Sequence, residues 1–285
     1  IDKDGKNAGY DIVFAERLAK DLGVKVKYTS VDPAARVDVL TSNKVDITLA
    51  NFTVTDERKE KVDFAKPYMK VALGVVSPEN AEITDVSQLK GKTLIIAKGT
   101  TAESYFEKNE PDVKLQKYDQ YADAYNALLD GRGDAFSTDN TEVLAWAKTN
   151  KGFKVGITKL GDEDTIAPAV QKGNKELLNW INDEIVKLGK ENFFHKDYEE
   201  TLKPVYGSDV NPDDIGVDGG KLCFFPDLTA ACRPSILFPS LPWHTPRKAF
   251  SCRFRAGYVT SFETVYSPRG CMFPEVSYHP ITPHK

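Results

Sequence analysis

Residues 50–68, ANFTVTDERKEKVDFAKPY, run from the end of an apolar segment through two threonines into a charged stretch that reads as a helix start. Thr55 is placed as the N-cap, Asp56 and Glu57 open the helix, and Arg58 falls at about its third position. The positive end of a helix dipole favours Asp56 and Glu57 and disfavours an arginine. An anion held at that point would supply a reason for Arg58. A guanidinium offers planar, bidentate donors matched to a carboxylate, and the helix start adds oriented N–H groups. The plainer reading is a solvated arginine in the run DERKEK.

Outward from this stretch, strand-like and helix-like segments alternate. VKVKYTS (24–30) alternates apolar and polar residues as a half-buried strand does, while VDITLAN (45–51) and TLIIAKG (93–99) read as buried strands. Ala15, Leu18, Ala19 and Leu22 share a helical face that Gly23 ends in a C-terminal capping position. Helical spacing predicts further helices over 101–108, 119–130, 140–149 and 174–190, with FKVGI (153–157) as a short strand. This βαβα rhythm argues for an α/β protein with parallel-rich sheets flanked by helices.

Two more strand ends carry polar groups. In IIAKGTTAESYF (95–106) a strand meets a glycine and two threonines, and Thr100 with Glu103 fits a capping box, which explains the threonines without a ligand. In DGRGDAFSTDNTEV (130–143), Asp139 follows an apolar strand. Open α/β sheets bind ligands outside such strand ends, so Asp139 is a candidate partner for a ligand cation; its plainer use is as an N-cap.

The 285 residues carry 38 Lys and Arg against 42 Asp and Glu, a net charge of -4, which gives no reason to expect nucleic acid. No apolar run is long enough for a membrane helix, and IDKDGKNAGYD has no signal-peptide core. Near residue 221 the composition breaks. All 4 Cys and most of the 16 Pro lie beyond it, lysine gives way to arginine, and the charge turns from acidic to basic. The tail, 222–285, is expected to be an extension foreign to the body by read-through, frame shift or fusion, with RAGYVTSFETVYS (255–267) as its one strand pair. Cys223, Cys232, Cys252 and Cys271 lack the paired rhythm of zinc modules, so no metal is expected. His195 is the body's one histidine and nothing beside it marks a nucleophile, so no catalytic residue and no cofactor is assigned.

Taken together, GYDIVFAERLAKDLG (9–23), KVDITLANFTVTDERKEKVDFAKPYM (44–69), LKGKTLIIAKGTTAE (89–103) and GRGDAFSTDN (131–140) resemble the polar amino-acid solute-binding proteins of ABC importers, family 3, over about residues 1–221. The resemblance implies a two-lobe periplasmic-binding-protein-like fold of type II. Lobe 1 would be 1–76 with 168–221 and lobe 2 would be 77–167. It implies that Arg58 grips a ligand α-carboxylate with the help of Thr53 and Thr101 in a site that includes the Thr100 turn. Asp139 would take the α-ammonium, Asn51 would offer it a carbonyl, and Phe52 would wall the side-chain pocket.

Arg36 resembles an arginine that some acidic-amino-acid binders turn to the ligand side chain. APAVQKGNKELL and ENFFHKDYEETLKPVYG are more like members assigned to cysteine or cystine, so these are favoured over glutamate or aspartate. The implied partners are a free amino acid and the membrane permease of an ABC importer. The implied state is a monomer, extracytoplasmic, in the periplasm or lipid-anchored at the cell surface.

Two departures accompany the resemblance. Val13 stands where many members carry an acidic residue, and the chain begins after the family's first strand and export signal. That strand would run between VKVKYTS and VDITLAN, which leaves lobe 1 expected to be weak unless the tail replaces it. The rival readings are an enzyme like cyclohexadienyl dehydratase, with Glu103 or Glu142 as the acid, and a ligand-sensing receptor domain.

Overall fold

The computed structural model of the chain describes residues 5–207 and 210–220. The expected strand pair at 255–267 and the cysteines of the tail lie outside the described residues.

The first helix, α1 (Tyr10–Leu22), forms because Tyr10, Phe14 and Leu18 recur at four-residue spacing and all bury. It stops at Gly23, which adopts the left-handed conformation (φ 69°) and gives its N–H to the carbonyls of Ala19 and Lys20. Beneath it lies an aromatic cluster. The Phe14 ring is fully buried and sits 5.1 Å from Tyr68 and 5.1 Å from Phe194. The long helix α7 (Lys175–Lys190, numbered in chain order) closes this core with Ile181, Ile185 and Leu188, and Asn174 caps its start by accepting the Leu177 N–H.

Among the described residues, eight strands make two sheets. The smaller contains β1 (Ile47–Thr48), β2 (Val62–Phe64) and β8 (Ala169–Gln171) in the order β1-β8-β2, both pairs antiparallel. The larger has the order β5-β4-β6-β3-β7, built from β3 (Met69–Pro78), β4 (Thr93–Ala97), β5 (Lys114–Tyr118), β6 (Ala135–Asp139) and β7 (Phe153–Ile166). Strand β4 is parallel to β5 and β6, whereas β3 runs antiparallel to β6 and β7. The sheets are therefore mixed rather than parallel-rich.

Helices α4 (Thr101–Asn109), α5 (Tyr121–Leu129) and α6 (Asn140–Thr149) cover the larger sheet. Phe106 packs with Leu94 and Ile96 on one face; Leu128 and Val143 pack with Ile95 and Phe136 on the other.

The helices match the expected segments to within two residues, since periodicity is a local property. The strands match less well. FKVGI is only the start of the 14-residue β7, and VDITLAN contributes two residues of ladder. VKVKYTS forms no strand at all. Its alternation is real, but a strand exists only where a neighbour takes its N–H and C=O groups, and among the described residues none pairs with it. Val24 and Tyr28 stay exposed. They line, with Leu18, Val26, Ile47 and Leu49, a cavity of about 470 Å³.

The two sheets meet through β3 and β7, which pair over their whole length with register shifts between Val71 and Val76. An isolated bridge joins Thr53 to Ile166, and the Val54 N–H donates to the Thr165 carbonyl at 2.8 Å. These bonds fix the loop after β1 against the place where β7 leaves the larger sheet, which is where the polar strand ends converge.

Truncating Phe14 removes a buried ring from the aromatic cluster at the base of that arrangement. Phe14→Ala should lower unfolding free energy by about 3 to 5 kcal/mol, read as a drop in the urea midpoint at unchanged slope; a midpoint within error of the parent would show that α1 is not part of the cooperative core.

Candidate functional site

Arg58 sits where its sequence placed it. Helix α3 (Asp56–Lys61) starts at Thr55, whose hydroxyl accepts the Arg58 N–H at 3.3 Å. The guanidinium folds back over the helix start. Its Nη1 donates to the Thr53 carbonyl at 2.7 Å, and its Nη2 donates to the Gly99 carbonyl at 2.9 Å. Below it lies Phe52, with the guanidinium carbon 4.7 Å from the ring centroid, a cation–π seat. Burial, with the charge of Arg36 second, pulls the Arg58 pKa down to about 10, so it stays cationic at neutral pH.

Arg36 is used otherwise than expected. It opens α2 (Arg36–Thr41) and is 6% exposed. Its Nε donates to the Pro33 carbonyl, and its Nη1 donates to the carbonyls of Ala50 and Asn51, each at 2.9 Å. It therefore clamps backbone rather than standing free for a ligand side chain. Phe52 lies between the two arginines, 5.4 Å from Arg36, and is packed with Leu40, Val62 and Ala169. It is the floor under the guanidiniums.

The glycine-threonine turn faces Arg58 from the larger sheet. Gly99 is left-handed (φ 72°), and a Cβ there would stand 2.5 Å from the Ala34 Cα, so only glycine permits this approach. Thr100 is spent on structure. Its hydroxyl donates to the Ala97 carbonyl and accepts the Glu103 N–H, while the Glu103 carboxylate accepts the Gly99 N–H. Thr101 begins α4, and no hydrogen bond occupies its hydroxyl among the described residues; the same holds for the Thr53 hydroxyl. Arg58, Thr53 and the first turn of α4 thus present unspent donors together, the arrangement that suits an anion.

Asp139 ends β6 with 5% exposure. It does not cap α6; the Asn140 side chain accepts the Thr141 N–H instead. Its carboxylate accepts from the Asn51 side-chain amide at 2.6 Å. Burial pushes its pKa up to about 6, against the pull of Arg36, the Asn51 bond and Arg58. Glu142, one turn further, rises to about 7, first by burial and then by the charge of Asp139. Asn51 itself adopts φ 47°; its N–H donates to Asp11 at 2.8 Å, and the Tyr68 hydroxyl donates to the same carboxylate at 2.6 Å. Sequence reasoning missed Asp11. Its only signal was its place in GYD at the start of α1.

Arg58 and the buried Asp139 carboxylate fall in one polar cluster, with Gly99 bonded to the first and Asn51 to the second. Residues 1–202 match the bacterial extracellular solute-binding proteins, family 3, and the chain belongs to that family. It is 31% identical over 191 residues to the L-cystine-binding protein TcyJ of Escherichia coli (strain K12), covering 66% of this chain and 71% of that one. Similarity extends to the glutamine-binding protein of a Bacillus subtilis (strain 168) ABC transporter, 29% identical over 70% of this chain and 74% of that one.

Among solved structures, the solute receptor for L-cysteine of Neisseria gonorrhoeae superposes with a TM-score of 0.75 at 53% identity, over 76% of this chain and 89% of that one. The cysteine-binding protein of Campylobacter jejuni gives the same TM-score and coverage at 54% identity. These likenesses establish the α/β type II periplasmic-binding-protein fold. Among the described residues no helix is long and apolar enough to cross a membrane, and no acidic, histidine or cysteine group is arranged for a metal ion.

The raised Asp139 pKa fixes the sign of a stability effect. The folded chain holds this proton more tightly than an ordinary carboxyl with its value of 3.8, so ionising it costs stability from there up to about 6. Asp139→Asn has no such cost. In amino-acid-free buffer its melting temperature relative to the parent should rise as pH increases from about 4 to about 6 and then level off; a pH-independent difference would mean that Asp139 titrates normally.

Proposed function

We propose that this chain captures free cysteine or cystine, in preference to glutamate or aspartate, as the solute-binding component of an amino-acid ABC importer. The observation that carries the reading is that the charge of Arg58 acts on the buried Asp139 carboxylate within one polar cluster. The α-carboxylate would lie on Arg58, with the Thr53 and Thr101 hydroxyls and the N–H groups that start α4. The α-ammonium would lie against Asp139 and Asn51. The choice of cysteine rests on the two receptors at 53% and 54% identity.

Capture works by closure. Lobe 1 comprises 1–76 with 168–221 and lobe 2 comprises 77–167, with β3 and the end of β7 passing between them. Arg58 belongs to the first and Asp139 to the second, so a zwitterion satisfies both only when the lobes meet. The ligand therefore shifts the population toward the closed form by its differential affinity. A membrane permease outside the cytoplasm would read that form, and the receptor would act as a monomer, periplasmic or lipid-anchored.

Turnover is not part of this reading. A solved ancestral amino-acid-binding protein described as a precursor of cyclohexadienyl dehydratase shares the fold at 31% identity, with a TM-score of 0.66 over 71% of this chain and 88% of that one. An acid for such chemistry would have to point into the cleft. Glu103 instead holds the Gly99 N–H and pairs with Lys117. Glu142 lines a cavity with Asn51, Trp146 and Tyr206, so it is the acid of the two that stands beside the proposed site.

Calorimetric titration of the twenty amino acids and cystine into the full chain should give micromolar or tighter binding for cysteine or cystine. Arg58→Ala should weaken it about 10- to 100-fold, the loss of a charged hydrogen-bond partner. Absence of heat with every amino acid, or an unaffected Arg58→Ala, rejects the reading.

A further inference from the structure

We propose that Asp11 and Arg36 are positioning residues that hold Asn51 in its left-handed conformation, so that its side-chain amide locks Asp139 as the acceptor for the ligand ammonium. This rests on the cleft reading above and adds residues to it that make no contact with the ligand.

The geometry forms one chain of contacts. Asn51 stands at φ 47°, in the left-handed region that asparagine enters more readily than other side-chain-bearing residues. Both of its backbone polar groups are held. Asp11 takes the N–H at 2.8 Å, and Arg36 reaches the carbonyl at 2.9 Å together with that of Ala50. Asp11 is in turn fixed by the Tyr68 hydroxyl at 2.6 Å, and Tyr68 is fully buried in the aromatic core. With its backbone pinned from both sides, the Asn51 side chain has one outlet, across the cleft to Asp139 at 2.6 Å. A side-chain amide at that distance from a carboxylate orients it and favours its ionised form.

The charges around Asp139 come from every packed element. Arg36 and Arg58 on α2 and α3 favour its ionised form; Asp164 on β7 and Glu142 on α6 oppose it, and Tyr121 on α5 stands nearby. Asp11 is a second acid of the same network. That gives the proposal a sign of its own. If Asp11 acted only through its charge, removing it would make Asp139 easier to ionise. If it acts by placing the Asn51 amide, removing it costs Asp139 that donor and makes ionisation harder.

The experiment is the pH profile of affinity for the amino acid that binds the parent chain best, measured by calorimetry from pH 4.5 to 8.5. The parent should lose affinity as pH falls through the Asp139 titration. Asp11→Ala should move that acid limb upward by about one pH unit, the worth of one hydrogen bond to a charged group. Asp11→Asn keeps an oxygen acceptor for the Asn51 N–H and should restore the parental limb. Asn51→Gly tolerates the left-handed backbone while deleting the amide, and should reproduce the upward shift without Asp11 being touched.

Equal weakening of Asp11→Ala at every pH, or a limb moved downward, would overturn the proposal. So would a parental limb in Asn51→Gly, which also serves if Asp11→Ala does not fold. Failure of the parent itself to bind any amino acid would instead reject the cleft reading.

Discussion

The cleft depends on a guanidinium that is held without being neutralised. Arg58 lies on the Phe52 ring and donates to two carbonyls, those of Thr53 and Gly99, and not to a carboxylate. Carbonyl dipoles and an aromatic face position a cation while leaving its formal charge to attract an anion. A salt-bridged arginine would have spent that charge inside the protein. The rest of the local architecture follows from this seat. Phe52 must be buried to be rigid, so β2, β8 and α2 close around it. Gly99 must approach Ala34 closely for its carbonyl to be reached, which no other residue allows.

Asp139 is held by the opposite logic. Its carboxylate is buried at a strand end with one close hydrogen bond, and burial is the largest influence on its pKa. Such a group is costly to ionise alone and inexpensive to ionise beside an ammonium. The two halves of the site are thus unequally prepared. In the proposed site the carboxylate half would be seated and charged, whereas the ammonium half would be completed by a cation in the right position.

Much of this was legible in the chain. Helices announced themselves because a 3.6-residue period is contained within one segment, and Gly23, Thr55 and Asn174 stand at the ends where capping chemistry predicts them. Arg58 was legible as a cation at the wrong end of a helix dipole. Strands were less legible because a ladder is a property of two segments. VKVKYTS has the alternation without the ladder, and β3 escaped notice because MKVALGVVSP is buried nearly throughout and so shows little alternation. Arg36 shows the same limit for side chains. The family resemblance located it near the ligand, but whether its donors face a ligand or the carbonyls of Ala50 and Asn51 depends on how α2 packs.

Asn51 shows why the least legible residue can matter most. Asparagine enters the left-handed region more readily than most residues, but nothing in LANF says which partners would hold it there. The turn is bonded by Asp11, forty positions earlier, and by Arg36, and its side chain donates to Asp139, eighty-eight positions later. Hydrogen bonds at one residue thus join the aromatic core under α1 to the carboxylate at the end of β6. Because the core is close-packed, Tyr68 cannot move far without disturbing Phe14 and Phe194, so Asp11 keeps a fixed partner. In the proposed site, the element whose position the fold sets without a ligand is the Asn51 turn, because both of its backbone polar groups are bonded within the protein.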